Sequence, residues 1–173
     1  VFNNRNTAER YLANCYHFVP DHGSVKRIPG MGAGHECWFY TTNDSHFDNE
    51  VSFYIARGLQ NIDAPYANYW DGEGGSNLPM FRAIRECNIF LDYVRDQHKV
   101  NDLTDSERKR WIAEVNVLKA YYHFFLFEHY GPIPIVDKAL PVSTDPEGVK
   151  VTRMPVDQIA VSYTHLRAHE TLS

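Results

Sequence analysis

The sequence predicts a mainly α fold in which helical hairpins carry long irregular loops. Three observations predict it. Between residues 117 and 127 only Lys119 and His123 are polar, and with Asn116 they fall on one narrow line at helical spacing. A helix apolar around most of its circumference is enclosed by neighbours on several sides. Thr104 with Glu107, and Asn6 with Glu9, have the spacing of capping arrangements ahead of apolar-periodic stretches. Residues 20–77, by contrast, are rich in Gly, Asn, Asp and Pro and lack that period.

In chain order, the first helix is expected to open at Asn6. It places Ala8, Tyr11, Leu12, Cys15, Tyr16 and Val19 on one face, and Pro20 closes it. Residues 20–77 form the least regular part, and long irregular stretches in compact domains concentrate function. Within them Cys37-Trp38-Phe39-Tyr40 reads as an extended run, residues 51–59 as strand or helix, and residues 71–77 as a flexible loop. A second helix is expected from about Pro79, tolerated in a first turn, to about His98. Ile84, Cys87, Leu91 and Val94 make its inner face, joined by Phe81, Phe90 and Asn88. The third opens at Thr104 and ends at Gly131, a left-handed exit residue, after which Pro132 and Pro134 force extended chain. A short polar connection joins the second helix to the third, so the two should pack antiparallel.

A chain of 173 residues can bury a sizeable core and is expected to form one domain. Its net charge of -5 offers no basic surface for phosphates, which argues against nucleic-acid binding. No apolar run is long enough to span a bilayer, and the residues after Val1 lack the apolar stretch of a secretory signal. Cys15, preceded by Leu12-Ala13-Asn14, superficially resembles a lipid-attachment box. No apolar segment leads into it, however, and Asn14 is not the small residue such a box needs. With Cys37 and Cys87 it matches no zinc spacing, and all three read as buried thiols, one disulfide being allowed but not required.

Gly30-Met31-Gly32-Ala33-Gly34 lacks the preceding strand and following Lys of a phosphate cradle, and reads as a flexible loop. His35, Glu36 and Cys37 are adjacent, so in extended chain they point to opposite faces and do not converge on one ion. His123 and His129 lie on different faces of the third helix and read as structural or surface residues. There is no G-x-S-x-G, no H-E-x-x-H, no cysteine-nucleophile pattern, and no carboxylate pair fixed by spacing. The expectation is therefore no catalytic residue, no metal, no cofactor and no enzymatic activity.

Aromatic residues fall into two groups. Tyr121, Tyr122, Phe124, Phe125 and Phe127 on the third helix read as core, whereas Trp38, Tyr40, Tyr66, Tyr69 and Trp70 lie in loop-like sequence. The C–H-rich face of a sugar ring packs on an exposed indole or phenol while amides bond its hydroxyls. Trp38, Tyr40, Tyr66, Asn68 and Trp70 are accordingly the candidate ligand-binding residues, with Asn61 and Asp71 as further hydroxyl partners. The alternative for each aromatic is that it pins a long loop to the core.

Two blocks carry a family resemblance. Ala113, Glu114, Leu118, Ala120, Tyr121, Tyr122, Phe124, Leu126, Tyr130, Gly131 and Pro134 follow the pattern A-E-x-x-x-L-R-A-Y-Y-x-F-x-L-x-x-x-Y-G-x-V-P-L-V. Ala83-Ile84-Arg85-Glu86-Cys87-Asn88-Ile89-Phe90-Leu91 follows Y-x-A-I-R-x-C-N-x-F-L at the expected distance before it. In these blocks the chain resembles the SusD/RagB family of surface glycan-binding lipoproteins of Bacteroidetes. Asn116 stands where the family usually has Arg, and Lys119 replaces another Arg. Arg153 and Pro155 resemble the family's lead into its next helix.

The resemblance covers residues 1–160 and implies tetratricopeptide-like helix pairs, as the N-terminal portion of a full-length member. It also implies a role: capturing an oligosaccharide at the extracellular face of the outer membrane and acting as a lid over a SusC-like TonB-dependent transporter. The membrane anchor would be a lipidated cysteine upstream of Val1. The rival expectation is a helical-repeat scaffold that binds a protein partner and no sugar. Residues 161–173 read as the translation of a transposase-type sequencing adapter, so His165, His169 and Glu170 are not taken as a metal site.

Overall fold

Thr104 opens the longest helix of the computed structural model, α5 (Asp105–Tyr130). Its hydroxyl accepts the Glu107 N–H at 3.2 Å, and the Glu107 carboxylate accepts the Thr104 N–H at 3.3 Å, the expected capping box. Asp105 and Glu107 also place negative charge at the positive end of the helix dipole. At the other end Gly131 takes φ 69° and donates its N–H to the Phe127 carbonyl at 2.9 Å. The structure describes residues 2–23, 28, 30–34, 51–72, 78–140, 150–159 and 161. Among these the other helices are α1 (Arg5–Tyr16), α2 (Gly30–Ala33), α3 (Val51–Ala56) and α4 (Met80–Val94), and there is no strand. A helical turn also forms at residues 156–159.

Where one domain was expected, the chain divides into two compact units. The first combines Val1–Phe18 with Phe81–Ser173, and the second is Val19–Met80. In the first unit Phe90 lies 6.4 Å from Trp111, and Arg108 donates to the Val94 carbonyl. The partners climb α4 as they descend α5, so this pair is the expected antiparallel hairpin. α1 runs the other way, parallel to α5: Arg5 meets Glu107 at 2.9 Å, and Tyr122 donates to the Cys15 carbonyl. Ala8, Leu12 and Cys15 of α1, Ile84, Cys87, Phe90 and Leu91 of α4, and Trp111, Val115, Tyr122 and Leu126 of α5 are buried in its core. Each large apolar side chain buried this way contributes about 1.5–3 kcal/mol.

Helix ends depart from expectation for local reasons. α1 starts at Arg5, not after Asn6, because Asn4 already caps it, accepting the Thr7 N–H at 2.9 Å. It also stops at Tyr16, four residues short of Pro20, so Tyr16 and Val19 are exposed and Phe18 is buried in their place. α4 stops at Val94, since the Asp96 carboxylate turns the chain by accepting the His98 N–H at 2.9 Å.

The largest departure is on α5. Phe124, read as core, is 44% exposed, as Val117 is 58%, while Lys119 and His123 of the polar line are 4% and 1% exposed. The exit segment explains it. Residues 132–140 run extended back over α4 and α5, and their backbone polar groups need partners. The Val136 N–H donates to His123 Nε2 at 3.2 Å, and the Val136 carbonyl accepts from Asn88 Nδ2 at 2.9 Å. Lys119 Nζ reaches the Asp137 carbonyl at 3.1 Å, and Arg85 donates to the Leu140 carbonyl. Ile133 and Pro134, within this strap, are buried.

In the second unit α2 packs on α3. The Gly30–Ala33 stretch, expected as a flexible loop, is a one-turn helix. Residues 51–56, open between strand and helix from sequence, are helical, with Val51, Ser52 and Phe53 buried. The expected extended run at Cys37–Tyr40 and the greater part of the 71–77 loop lie outside the described residues.

Candidate functional site

The candidate ligand residues that the structure describes belong to the second unit, in the chain that follows α3. That chain is organised by its own side chains. Gln60 Oε1 accepts the Tyr66 N–H at 2.7 Å, and Asn61 Oδ1 accepts the Ala64 N–H at 2.7 Å. Asn68 Oδ1 accepts the Trp70 N–H at 3.1 Å, while its Nδ2 donates to Asp71 Oδ1 at 2.5 Å. Asx turns of this kind fix a loop without a ladder. The Tyr69 ring is fully buried, and its carbonyl accepts the Met80 N–H at 2.9 Å, closing the loop onto the start of α4.

Two rings stack on this frame. Tyr54 of α3 and Tyr66 lie 4.5 Å apart, 11° from parallel, and both are half-buried. Trp70 is half-buried as well. A parallel aromatic pair holds each ring in a fixed plane, which is what a flat ligand face requires. The sequence does not single out Tyr54, because residues 51–59 read as either strand or helix and its face stays undefined.

Of the five candidates, the structure therefore brings Tyr66, Asn68 and Trp70 onto one short loop, and Trp38 and Tyr40 lie outside the described residues. Asn68 and Asn61 each spend both ends of their amides on protein partners, Asn61 Nδ2 donating to the Leu59 carbonyl at 3.3 Å. Each amide has a second N–H and a second oxygen lone pair, through which a ligand hydroxyl can be met without breaking a loop bond. The Tyr69 ring takes the loop-pinning role.

Among the described residues, the ionisable groups with shifted affinities lie in the first unit and are structural. Burial lowers the pKa of Lys119, an effect opposed by Asp137. His123 is pushed down to about 4, mainly by burial, and so is neutral. Its Nδ1 lies 2.8 Å from the Lys119 carbonyl and therefore carries the proton, leaving Nε2 to accept from Val136. Both ring nitrogens are used, which removes His123 from acid–base chemistry. The described residues contain no cluster of three metal-ligating side chains and no helix long and apolar enough to cross a membrane.

Residues 22–164 match the SusD-like family described as "Starch-binding associating with outer membrane". The chain belongs to the SusD-like family. Among solved structures, one named BT4246 superposes with TM-score 0.72 at 21% identity, over 98% of this chain and 26% of that one. A laminarin binding SusD-like protein gives TM-score 0.70 at 16% identity, over 98% of this chain and 34% of the other. At these identities the likeness speaks for the fold, which is the mainly α, tetratricopeptide-like arrangement of SusD-like proteins. The chain spans about a third or less of the length of both structures. No curated protein matches it.

Proposed function

We propose that this chain is the N-terminal part, through about residue 160, of an outer-membrane protein that captures oligosaccharides and delivers them to a SusC-like TonB-dependent transporter. The observation that carries the reading is the match over residues 22–164 to a family described as starch-binding. The loop after α3 supplies a fitting surface. Tyr66, steadied by Tyr54, and Trp70 offer ring faces, and Trp38 and Tyr40 join them as further candidates. No bond is broken in this mechanism: rings supply shape, polar groups supply discrimination, and transport follows from handing the ligand to the transporter. Anchoring is through a lipidated cysteine upstream, on the extracellular face.

The test is calorimetric titration of the protein with starch- and laminarin-derived oligosaccharides. Trp70→Ala and Tyr66→Ala should each weaken binding roughly tenfold while circular dichroism stays unchanged, one ring contact being worth about 1–2 kcal/mol. Binding unaltered by both substitutions would remove these residues from the site, and failure to bind any glycan would overturn the reading. A helical scaffold for a protein partner is the second reading, favoured by the exposed Val117 and Phe124 on α5. It predicts no sugar binding at all.

A further inference from the structure

We propose, on the reading that the chain is an N-terminal part, that the outer stripe of α5 seats a helix of the same polypeptide lying beyond residue 160. A helix apolar almost all round needs neighbours on several sides, and two sides of α5 are accounted for. Trp111, Val115, Tyr122 and Phe125 are buried in the core of the first unit. Lys119 and His123 meet the exit segment. The third side carries Ala113, Val117, Ala120 and Phe124, spaced four, three and four residues apart, with Tyr121 beside them. Val117 and Phe124 are exposed, and Ala113, Ala120 and Tyr121 are half-buried. Val117, Ala120, Tyr121 and Phe124 line a shallow hollow of about 280 Å³. Alternating steps of three and four form the seam that receives another helix, and the two alanines leave room for its side chains.

The occupant belongs to this polypeptide on three grounds. The chain spans only 26% and 34% of the two SusD-like folds it superposes on, which leaves most of such a polypeptide outside residues 1–173. The described chain also returns to the C-terminal end of α5. There the Met154 N–H donates to the Ile133 carbonyl at 3.0 Å, and a helical turn opens at residue 156 with Ile159 buried. A helix continuing from that point antiparallel to α5 passes Phe124 first. Reaching Ala113 takes it about 16 Å further, or about eleven residues. Area supplies the third ground. A stable dimer needs about 800 Å² on each partner, which one narrow stripe on one helix does not provide. A helix tethered in the same chain does not pay the translational and rotational cost of association, so a small seam is enough.

Hydroxyl-radical footprinting, read by mass spectrometry, tests this on the natural reading frame recovered from the source locus and expressed whole. Phe124 should lose its labelling to the level of its buried neighbour Phe125. Labelling of Phe124 well above that of Phe125 overturns the proposal. Phe124→p-benzoylphenylalanine, photolysed in the same protein, identifies the occupant. A link within one polypeptide, to a peptide after residue 160, is expected. A link between two copies, to a separate protein, or to a peptide before residue 160 overturns the proposal. The footprint needs no substitution, so it decides the matter even where the variant fails to fold. Neither measurement involves a glycan. A natural frame that stops near residue 160 overturns the N-terminal-part reading and the covered seam together, whereas a longer frame with Phe124 labelled overturns the covered seam alone.

Discussion

Replacing His123 with Leu and following urea unfolding from about pH 8 to about pH 4 isolates the clasp that holds the exit segment to α5. The imidazole ordinarily titrates near 6.5 and in the folded chain near 4. Between those values the unfolded chain binds a proton that the folded chain refuses, so acid draws the equilibrium toward unfolding. The stabilisation is complete above pH 6.5 and is lost as pH falls through 4, with a total of roughly 3 kcal/mol. About 2 kcal/mol of it should be gone by about pH 5. The Leu variant has nothing to titrate there. At about pH 8 it should be less stable by about 1–3 kcal/mol, because the Val136 N–H loses its buried acceptor. The gap between the two proteins should close by about 2 kcal/mol by about pH 5 and by about 3 kcal/mol by about pH 4. A gap that stays constant across the range would refute both the neutral state and the role assigned to the ring.

Thr104→Ala removes the N-cap of α5 and should cost about 1 kcal/mol in chemical unfolding. Arg108 is buried and donates to the Val94 and Val100 carbonyls, so Arg108→Met should cost roughly 1–3 kcal/mol by the same measurement. Gly72 takes φ 89°, and an added Cβ would lie 2.9 Å from two side-chain atoms of Pro79. Gly72→Ala should therefore lower stability by about 1–3 kcal/mol. Gly58→Ala, at φ 73° with no neighbour within 4 Å, should lose less; equal thermal shifts for the two would show that the contact with Pro79 is irrelevant.

Much of the first unit was legible because its signals are local. Thr104 and Glu107 fix one end of α5 and Gly131 the other, and the apolar spacing of α4 marks its inner face. The burial of Lys119 and His123 was not legible. Periodicity reads polar residues as an outer edge, and it cannot register backbone groups arriving from residues 132–140 in need of partners. The candidate site was legible in part. Tyr66 and Trp70 stand out as aromatics in polar sequence, but that Asn61 and Asn68 build turns follows from geometry that composition does not encode. Tyr54 became visible only once residues 51–56 were known to be helical.

The candidate ligand residues all fall within residues 19–80, whereas the hydrophobic interior of the first unit is assembled from chain on either side of that stretch. Lengthening or rewriting such an insert carries a small entropic toll, each doubling of a closed loop adding only about 0.6 kcal/mol. Under the proposed function, such a rewrite would change ligand recognition while the host helices stay untouched. Diversification among relatives should concentrate between α1 and α4.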